Sequence, residues 1–227
     1  YPMTMQFWFM LPAATLIATV AMASGVEGAT FFTPLFILAL GLPAEVAIGV
    51  GLITEVFGFA SGVASYARKR LIDYKLGLTM LMVTVPLALA GTWLARYIPS
   101  EYLKLMLGFG LLIIAASFLK NPDQETIKTL DLQILDRNRM HPPRTTLVTA
   151  QGEEISYTVC NKTEGGILGG IGALFIGMIS TGLGELNGYF FLKRCKVPGK
   201  VSVATSVFIV AVTALVASVG HALRFAQ

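Results

Sequence analysis

Long apolar runs separated by short polar turns dominate the chain. The clearest are LGLTMLMVTVPLALAGTWLA at 76–95 and KVSVATSVFIVAVTALVASVGHAL at 200–223, neither of which contains an acidic residue. A run of about 20 apolar residues matches the hydrocarbon core of a bilayer. The pattern predicts an all-α polytopic membrane protein, with helical segments at 6–23, 30–42, 44–66, 76–97, 102–119, 165–180, 186–192 and 201–223.

The apolar pattern stops between residues 120 and 163, where the chain becomes polar. Within this insertion, TTLVTAQGEEISYTV alternates polar and apolar residues on either side of Gln151 and Gly152. Alternation with period two around a glycine-containing turn predicts a small β-hairpin. The chain therefore divides into a first transmembrane unit at 1–119, the polar insertion at 120–163, and a second transmembrane unit at 164–227.

The two transmembrane units share an order of features. SGVEG at 24–28 precedes a short apolar run and GLPAEVAIGVG, and TGLGE at 181–185 precedes a short apolar run and KVPGKVSVATS. Pro43 aligns with Pro198, and Gly25 aligns with Gly182. This similarity predicts two structural repeats. Because the first unit continues with two more helices, the second is expected to be incomplete at its C-terminus by about two helices.

Basic residues predict the orientation of the chain in the membrane. They cluster in RKR at 68–70 and in KRCKVPGK at 193–200, whereas GLPAE at 41–45 has none. Cytoplasmic loops are enriched in Lys and Arg. Both basic stretches and the 120–163 insertion are therefore predicted to be cytoplasmic, in a multi-pass protein of the inner (plasma) membrane. The two units then have opposite orientations, as inverted repeats do in transporters. Re-entrant short segments would place KRCKVPGK outside and weaken this argument.

Two glycine-containing breaks occupy matching places, and we expect them to face each other near the bilayer midplane. A broken helix exposes backbone N–H groups that attract anions, and such groups occur at membrane depth only where protein or a cavity surrounds them. The alternative is that the glycines only let helices pack closely. Thr33 and Ser180 are polar neighbours of the breaks. The candidate substrate ligands are Ser24, Gly25, Gly28, Thr30, Thr181, Gly182, Gly184, Asn187, Thr205 and Ser206.

Three glutamates fall within the predicted membrane segments. Glu27 and Glu185 belong to the breaks, and Glu55 lies in the middle of the 44–66 segment. Ionisable residues inside a membrane are functional candidates by default. We interpret all three as proton-coupling groups. For each, the alternative is a hydrogen-bonded carboxylic acid with a purely structural role.

Several function classes are disfavoured. The net charge of +4 comes from basic residues beside apolar segments, so it requires no nucleic-acid partner. The sequence has no Walker motif, and with only His141 and His221 as histidines it has no HExxH. We therefore predict no enzyme, no metal site and no cofactor. Cys160 and Cys195 form no CxxC pattern, and we predict no disulfide framework.

The glycine stretch, the apolar run with a proline, and the GLPAEVAIGVG segment together resemble the TauE/SafE family of sulfite-exporter-like membrane proteins. In that family each half has a glycine-rich stretch and an ATS- or GTS-like motif after a GLPxxxA turn. VATS at 203–206 is the closest match, and RKRLIDYK at 68–75 resembles the family's arginine-rich loop. Glu27 and Glu185 stand at or beside positions where the family has glycines. The resemblance covers both membrane units but not the insertion.

The resemblance implies a transporter that exports sulfite, sulfoacetate or a related organosulfur anion. With the buried carboxyls, it suggests a proton-linked secondary transporter whose two units rock around a site between the breaks. The expected partners are a small inorganic or organosulfur anion, protons and the lipid bilayer, with no nucleic acid, and a homo-oligomer is left open. The alternative is a non-transporting membrane sensor or assembly partner that acts through the 120–163 insertion.

Overall fold

The structure is a computed structural model that describes residues 8–24, 27–119, 145–158 and 162–225. The predicted helical architecture is confirmed, because eight α-helices and one two-stranded sheet account for most of the described residues. Three helices, α3, α4 and α8, are long and apolar enough to cross a membrane. The helices are α1 (Met10–Ser24), α2 (Ala29–Leu40), α3 (Ala44–Arg68), α4 (Tyr74–Leu94), α5 (Ser100–Leu119), α6 (Lys162–Ile179), α7 (Leu183–Gly188) and α8 (Gly199–Phe225).

The predicted β-hairpin is also confirmed. Strands β1 (Thr145–Val148) and β2 (Glu154–Tyr157) pair antiparallel, with Thr145 opposite Tyr157. Gly152 has a φ of +81° in the turn, a conformation that glycine adopts without steric cost. The rest of the predicted insertion, from 120 to 144 and from 159 to 161, lies outside the described residues.

Helices α4 and α6 pack backbone to backbone. A Cβ atom on Gly91 of α4 would collide with the carbonyl oxygen of Leu174, and one on Gly177 of α6 would collide with that of Ala88. Small residues permit such close approach where lipid provides little driving force for helices to associate. The glycines of these two helices therefore set the spacing at the centre of the bundle.

Helix α7 folds back along α6. A Cβ atom on Gly172 of α6 would lie 2.8 Å from Leu183 Cα at the start of α7, and one on Gly165 would collide with Phe190. The reversal occurs at Ser180, with φ +58°, and Gly182, with φ +116°. Left-handed backbone at a residue other than glycine is uncommon, so this tight turn is held by its surroundings.

The short helix after the second break is longer than predicted. It begins at Leu183 rather than at residue 186, because of the two glycines of this break only Gly182 leaves helical geometry, whereas Gly184 is helical. After Gly188 it continues as a π-helical segment, Tyr189–Arg194. Six α-helical and six π-helical residues therefore follow this break, against the 12 residues of α2 after the first.

Both short helices end in the same way. At the end of α2, Gly41 has a φ of +65°, and the amide of Leu42 donates to the carbonyl of Phe36. At the end of the π-helical segment, Lys196 has a φ of +52°, and the amide of Val197 donates to the carbonyl of Phe191. In both, the amide after a left-handed residue donates to a carbonyl six positions back, so the two ends share one capping geometry that includes the left-handed residue common at helix C-termini. A proline then precedes each of the long helices α3 and α8.

The hairpin contacts both basic stretches of the chain. The amide of Ala150 donates to the carbonyl of Lys69, at 3.0 Å, and the ammonium of Lys200 lies 3.3 Å from the Glu153 carboxylate. The end of α3, the start of α8 and the hairpin are therefore on one side of the bundle, called the hairpin side below. Helices α3 and α8 consequently run in opposite directions.

Cys195 corrects one prediction. The sequence predicted no disulfide framework, but this residue, fully buried on the hairpin side, is disulfide-bonded. Spacing along the sequence says little about which residues the fold brings together. The chain's other cysteine, Cys160, lies outside the described residues.

Candidate functional site

The start of α2 meets the turn between α6 and α7 inside the bundle. The hydroxyls of Thr30 and Thr181 share a hydrogen bond of 2.6 Å, and those of Thr33 and Ser180 share one of 2.8 Å. All four side chains are buried. These bonds join the two segments that the sequence predicted to face each other. The site formed by the start of α2, the turn at 180–184 and the three glutamates described below is called the junction.

Glu27, two residues before the start of α2, accepts hydrogen bonds from backbone amides of the other segment. The amide of Gly182 donates to Oε2 at 2.6 Å, and the amide of Gly184 donates to Oε1 at 2.7 Å. The residue is fully buried. Each carboxyl oxygen thus accepts a short hydrogen bond from a backbone amide. A bound anion is held in the same way at a helix N-terminus.

Glu185 lies just after the same turn, and its hydrogen bonds are longer than those of Glu27. Its Oε2 accepts from the amide of Gly182 at 3.1 Å, and its Oε1 accepts from the hydroxyl of Thr30 at 3.4 Å. The first bond belongs to a capping arrangement at the start of α7. Glu185 therefore links the N-terminus of α7 to the first turn of α2.

Glu55 comes from the middle of α3, and its side chain is 2% exposed. The backbone amides of Gly28 and Ala29, at the start of α2, face its carboxyl group. Neither carboxyl oxygen nevertheless makes a hydrogen bond to any residue in the described parts of the chain. A buried polar group without a partner is costly and uncommon.

The three glutamates lie close enough to interact electrostatically: Glu27 with both of the others, and Glu55 with Glu185. Within the described ranges, none of the three is paired with a lysine or an arginine. Among the described residues, only backbone amides and hydroxyls offset their charge, and repulsion between carboxylates in apolar surroundings is strong. Uptake of a proton by one of them would relieve that repulsion.

Gly51 of α3 explains how a hydroxyl reaches the junction. A Cβ atom at this position would collide with Oγ1 of Thr33. In the sequence, Gly49-Val50-Gly51 replaces the hydroxyl-containing motif of the second unit. The space that Gly51 leaves is filled by the Thr33 side chain, so the missing hydroxyl is supplied by α2.

The junction brings together Gly28, Thr30, Thr181, Gly182, Gly184 and the three glutamates, but not every predicted ligand. Asn187 lies one turn further along α7 and faces Gly169 of α6, and its Nδ2 has no partner among the described residues. Ser206 Oγ is buried and likewise unpartnered within that part of the chain. Gly25 lies outside the described residues, as does the side chain of Ser24.

Thr205 belongs to a second buried cluster, on the hairpin side. Its Oγ1 accepts from the amide of Asp73 at 3.1 Å, and Asp73 caps α4 by accepting from the amide of Leu76 at 3.0 Å. The hydroxyl of Tyr157 donates to the other Asp73 oxygen at 2.8 Å. Asp73 thus connects the hairpin, α4 and α8. Burial, followed by the bond to Asp73, raises the pKa of Tyr157.

Partial signals for this second cluster are present in the sequence. Asp73 directly precedes the apolar run of α4, which is the position of a helix cap. Capping also explains why α4 begins at Tyr74 and not at residue 76 as predicted. Tyr157 belongs to a predicted strand, but nothing in a strand pattern identifies the carboxylate that its hydroxyl meets.

The described residues contain no group of three or more His, Cys, Asp or Glu side chains arranged to hold a metal ion. The junction instead offers backbone N–H groups, hydroxyls and three carboxyls inside a bundle of apolar helices. A buried polar and ionisable site among such helices is typical of a membrane transporter.

Comparison with known proteins identifies the family. The family model for the sulfite exporter TauE/SafE matches residues 10–227, and the chain belongs to this family. Members are membrane transporters, so the chain is a transporter and not an enzyme, as predicted.

Curated relatives carry similar descriptions. The chain is 24% identical over 224 residues to the "Probable membrane transporter protein YunE" of Bacillus subtilis (strain 168), a match that covers 96% of this chain and 78% of that protein. It is 30% identical over 115 residues to the "Probable membrane transporter protein ORF9" of Sinorhizobium sp, covering 51% of this chain and 43% of that protein. A 30% identical match to YjnA of Bacillus subtilis covers 42% and 40%. No solved structure matches the chain.

Proposed function

We propose that the protein is a secondary transporter that exports a small sulfur-containing anion, either sulfite or an organosulfonate such as sulfoacetate, in a proton-linked manner. The junction is the proposed substrate site, and the observation that carries the proposal is the convergence there of two short-helix N-termini and three buried glutamates. The family description supplies the substrate class.

Repeat geometry supports a transporter plan. The separation of 155 positions that relates Glu27 to Gly182 and Thr30 to Glu185 also relates Pro43 to Pro198 and the left-handed cap residues Gly41 and Lys196. Equivalent residues that touch each other lie on a two-fold axis, and both of these pairs are hydrogen-bonded. This spacing pairs Glu27 with Gly182, where the sequence alignment had paired Gly25 with it. It supports a pseudo-two-fold axis through the junction.

Opposite orientation of the repeats is supported by the hairpin side. Helix α3 ends there, whereas its counterpart α8 begins there, as an inverted repeat requires. Helix α2 is about 18 Å long at 1.5 Å per residue, and the helical stretch from Leu183 to Arg194 has the same number of residues. Each therefore reaches a little over half-way across a core of about 30 Å from its own side. This geometry favours a junction near the midplane.

The domain division that we propose follows from this plan. Residues 1–119 form the first repeat, 120–163 the insertion, and 164–227 belong to the second repeat. The Lys and Arg residues of the hairpin side support a cytoplasmic location for it in the inner (plasma) membrane. The disulfide of Cys195 is instead typical of an oxidising compartment. Labelling of a cysteine introduced in the hairpin turn distinguishes the two.

The experiment that tests the function is flux from proteoliposomes. The full-length protein is reconstituted with sulfite, and separately with sulfoacetate, inside the vesicles, and efflux is followed with and without an imposed pH gradient. We expect efflux of at least one anion that responds to the gradient and fails in Glu27→Gln or Glu55→Gln protein. Glu101→Gln, at an exposed position paired with Lys104, is the matched control. Absence of flux for both anions from correctly inserted protein would refute the proposal.

A further inference from the structure

The two helix N-termini at the junction differ in one respect. That of α7 is filled, since Glu27 takes the amides of Gly182 and Gly184 in short hydrogen bonds. Among the described residues, no side chain caps Gly28 at the start of α2, and the carboxyl of Glu55 faces the amides of Gly28 and Ala29 without a hydrogen bond of good geometry to them. The first amides of a helix have no partner within the helix. Here the amides of Gly28 and Ala29 face the Glu55 carboxyl but make no hydrogen bond of good geometry with it.

We infer that a substrate oxyanion binds at the start of α2, held by the amides of Gly28 and Ala29 and by the protonated carboxyl of Glu55. The inference rests on the proposed function and specifies its site and its coupling group. An anion oxygen accepts from both amides and from the Glu55 O–H. A proton from solvent moves onto Glu55 as the anion enters, so the net charge of the site does not change.

Burial and charge explain why the proton and the anion must arrive together. An ionised Glu55 would repel an anion at the same amides, and the low-dielectric surroundings strengthen that repulsion. A neutral Glu55 becomes a hydrogen-bond donor and converts the repulsion into a third bond. Glu27 cannot play this part in the same way, because both of its oxygens already accept from backbone amides.

The described part of the chain places few other charged groups around Glu55. Glu185, on α7, and Glu27, ahead of α2, face it. Helix α1 has no ionisable residue. On α5, Glu101 and Lys104 pair with each other at its start. On α8, Lys200 is at the hairpin-side end, and His221, near the other end, bonds to the carbonyl of Gly177. Glu27 and Glu185 are thus the groups whose titration could imitate that of Glu55.

Equilibrium binding tests the inference directly. Methanesulfonate is the probe because its own charge is constant between pH 5 and 8, and binding to the full-length protein in nanodiscs is measured across that range. For the wild type we expect affinity to rise as pH falls, by up to about tenfold per pH unit, the slope for one proton taken up with one anion. A weakly buffered solution should show uptake of one proton per anion bound.

The variants separate Glu55 from its neighbours. In Glu55→Gln, whose amide remains a neutral donor, binding should persist, lose its pH dependence and take up no proton. Glu27→Gln and Glu185→Gln should keep the pH slope even where affinity falls, and Glu101→Gln should match the wild type. Thermal unfolding shows whether each variant is folded.

Two results would overturn the inference: a pH slope that survives in Glu55→Gln, or wild-type protein that fails to bind methanesulfonate. Either result would leave the proposed function standing if sulfite or sulfoacetate efflux is still observed. Loss of all anion flux would instead refute the function itself.

Discussion

The bond between Tyr157 and Asp73 is expected to hold the hairpin against the membrane helices. Tyr157→Phe removes one hydroxyl that is buried and donates to a carboxylate oxygen at 2.8 Å. Hydrogen bonds to charged groups contribute about 1.5–3 kcal/mol. The ring remains in the core beside Ile155, so the loss should be confined to this bond. Asp73 keeps its bond from the amide of Leu76, and the cap of α4 should survive.

The expected magnitude follows from that energy. At about 1.4 kcal/mol per factor of ten, opening of the hairpin should become about 10- to 150-fold more frequent. Hydrogen exchange of the β1 and β2 amides measures this opening. Tyr102→Phe, the same chemical change on an exposed side chain of α5, should leave exchange unchanged. Equal hairpin exchange in Tyr157→Phe and wild-type protein would refute the reasoning, because the bond would then contribute nothing to docking.

Three further predictions follow from particular contacts. Gly91→Ala should destabilise the protein by about 1–3 kcal/mol, because its Cβ meets backbone, whereas Gly108→Ala, with open space around it, should be neutral or slightly stabilising in thermal unfolding. The raised pKa of Tyr157 means that its contribution to docking is complete below pH about 10 and declines at higher pH, as the undocked phenol ionises. Tyrosinate absorbance, compared with Tyr157→Phe, measures this. A cysteine placed at Gln151, in the exposed hairpin turn, should react with an impermeant maleimide only after cells are permeabilised if the hairpin side is cytoplasmic.

Each of these has an outcome that contradicts it. Equal melting temperatures for Gly91→Ala and Gly108→Ala would mean that α4 and α6 can separate at no cost. Ionisation of Tyr157 with an ordinary pKa would mean that the phenol is not buried against Asp73. Labelling of Gln151→Cys in intact cells would place the hairpin outside and would agree with the Cys195 disulfide.

Pattern and composition predicted most of the helices correctly, since apolar length and turn residues are local properties. The boundaries that shifted did so for local reasons as well: Asp73 caps α4 two residues earlier than expected, and Gly184 stays helical. The sequence also indicated Glu27, Glu55 and Glu185, because an acidic residue within an apolar segment can be recognised from the sequence alone. The sequence did not indicate which of the three carboxyl groups has hydrogen-bond partners.

The sequence by itself determined the class of the protein: apolar runs long enough for a bilayer, a polar hairpin between them, and glycine breaks with glutamates. Only the tertiary structure decided the pairings. In the folded chain, Glu27 accepts hydrogen bonds from the amides of Gly182 and Gly184. Glu55 has no hydrogen-bond partner among the described residues, and Thr205 accepts one from the amide of Asp73. The physical reason is that the hydropathy of a segment depends only on consecutive residues. A hydrogen bond depends instead on the distance between two groups, which can be as many as 157 positions apart in the sequence. Only the packing of the helices sets that distance.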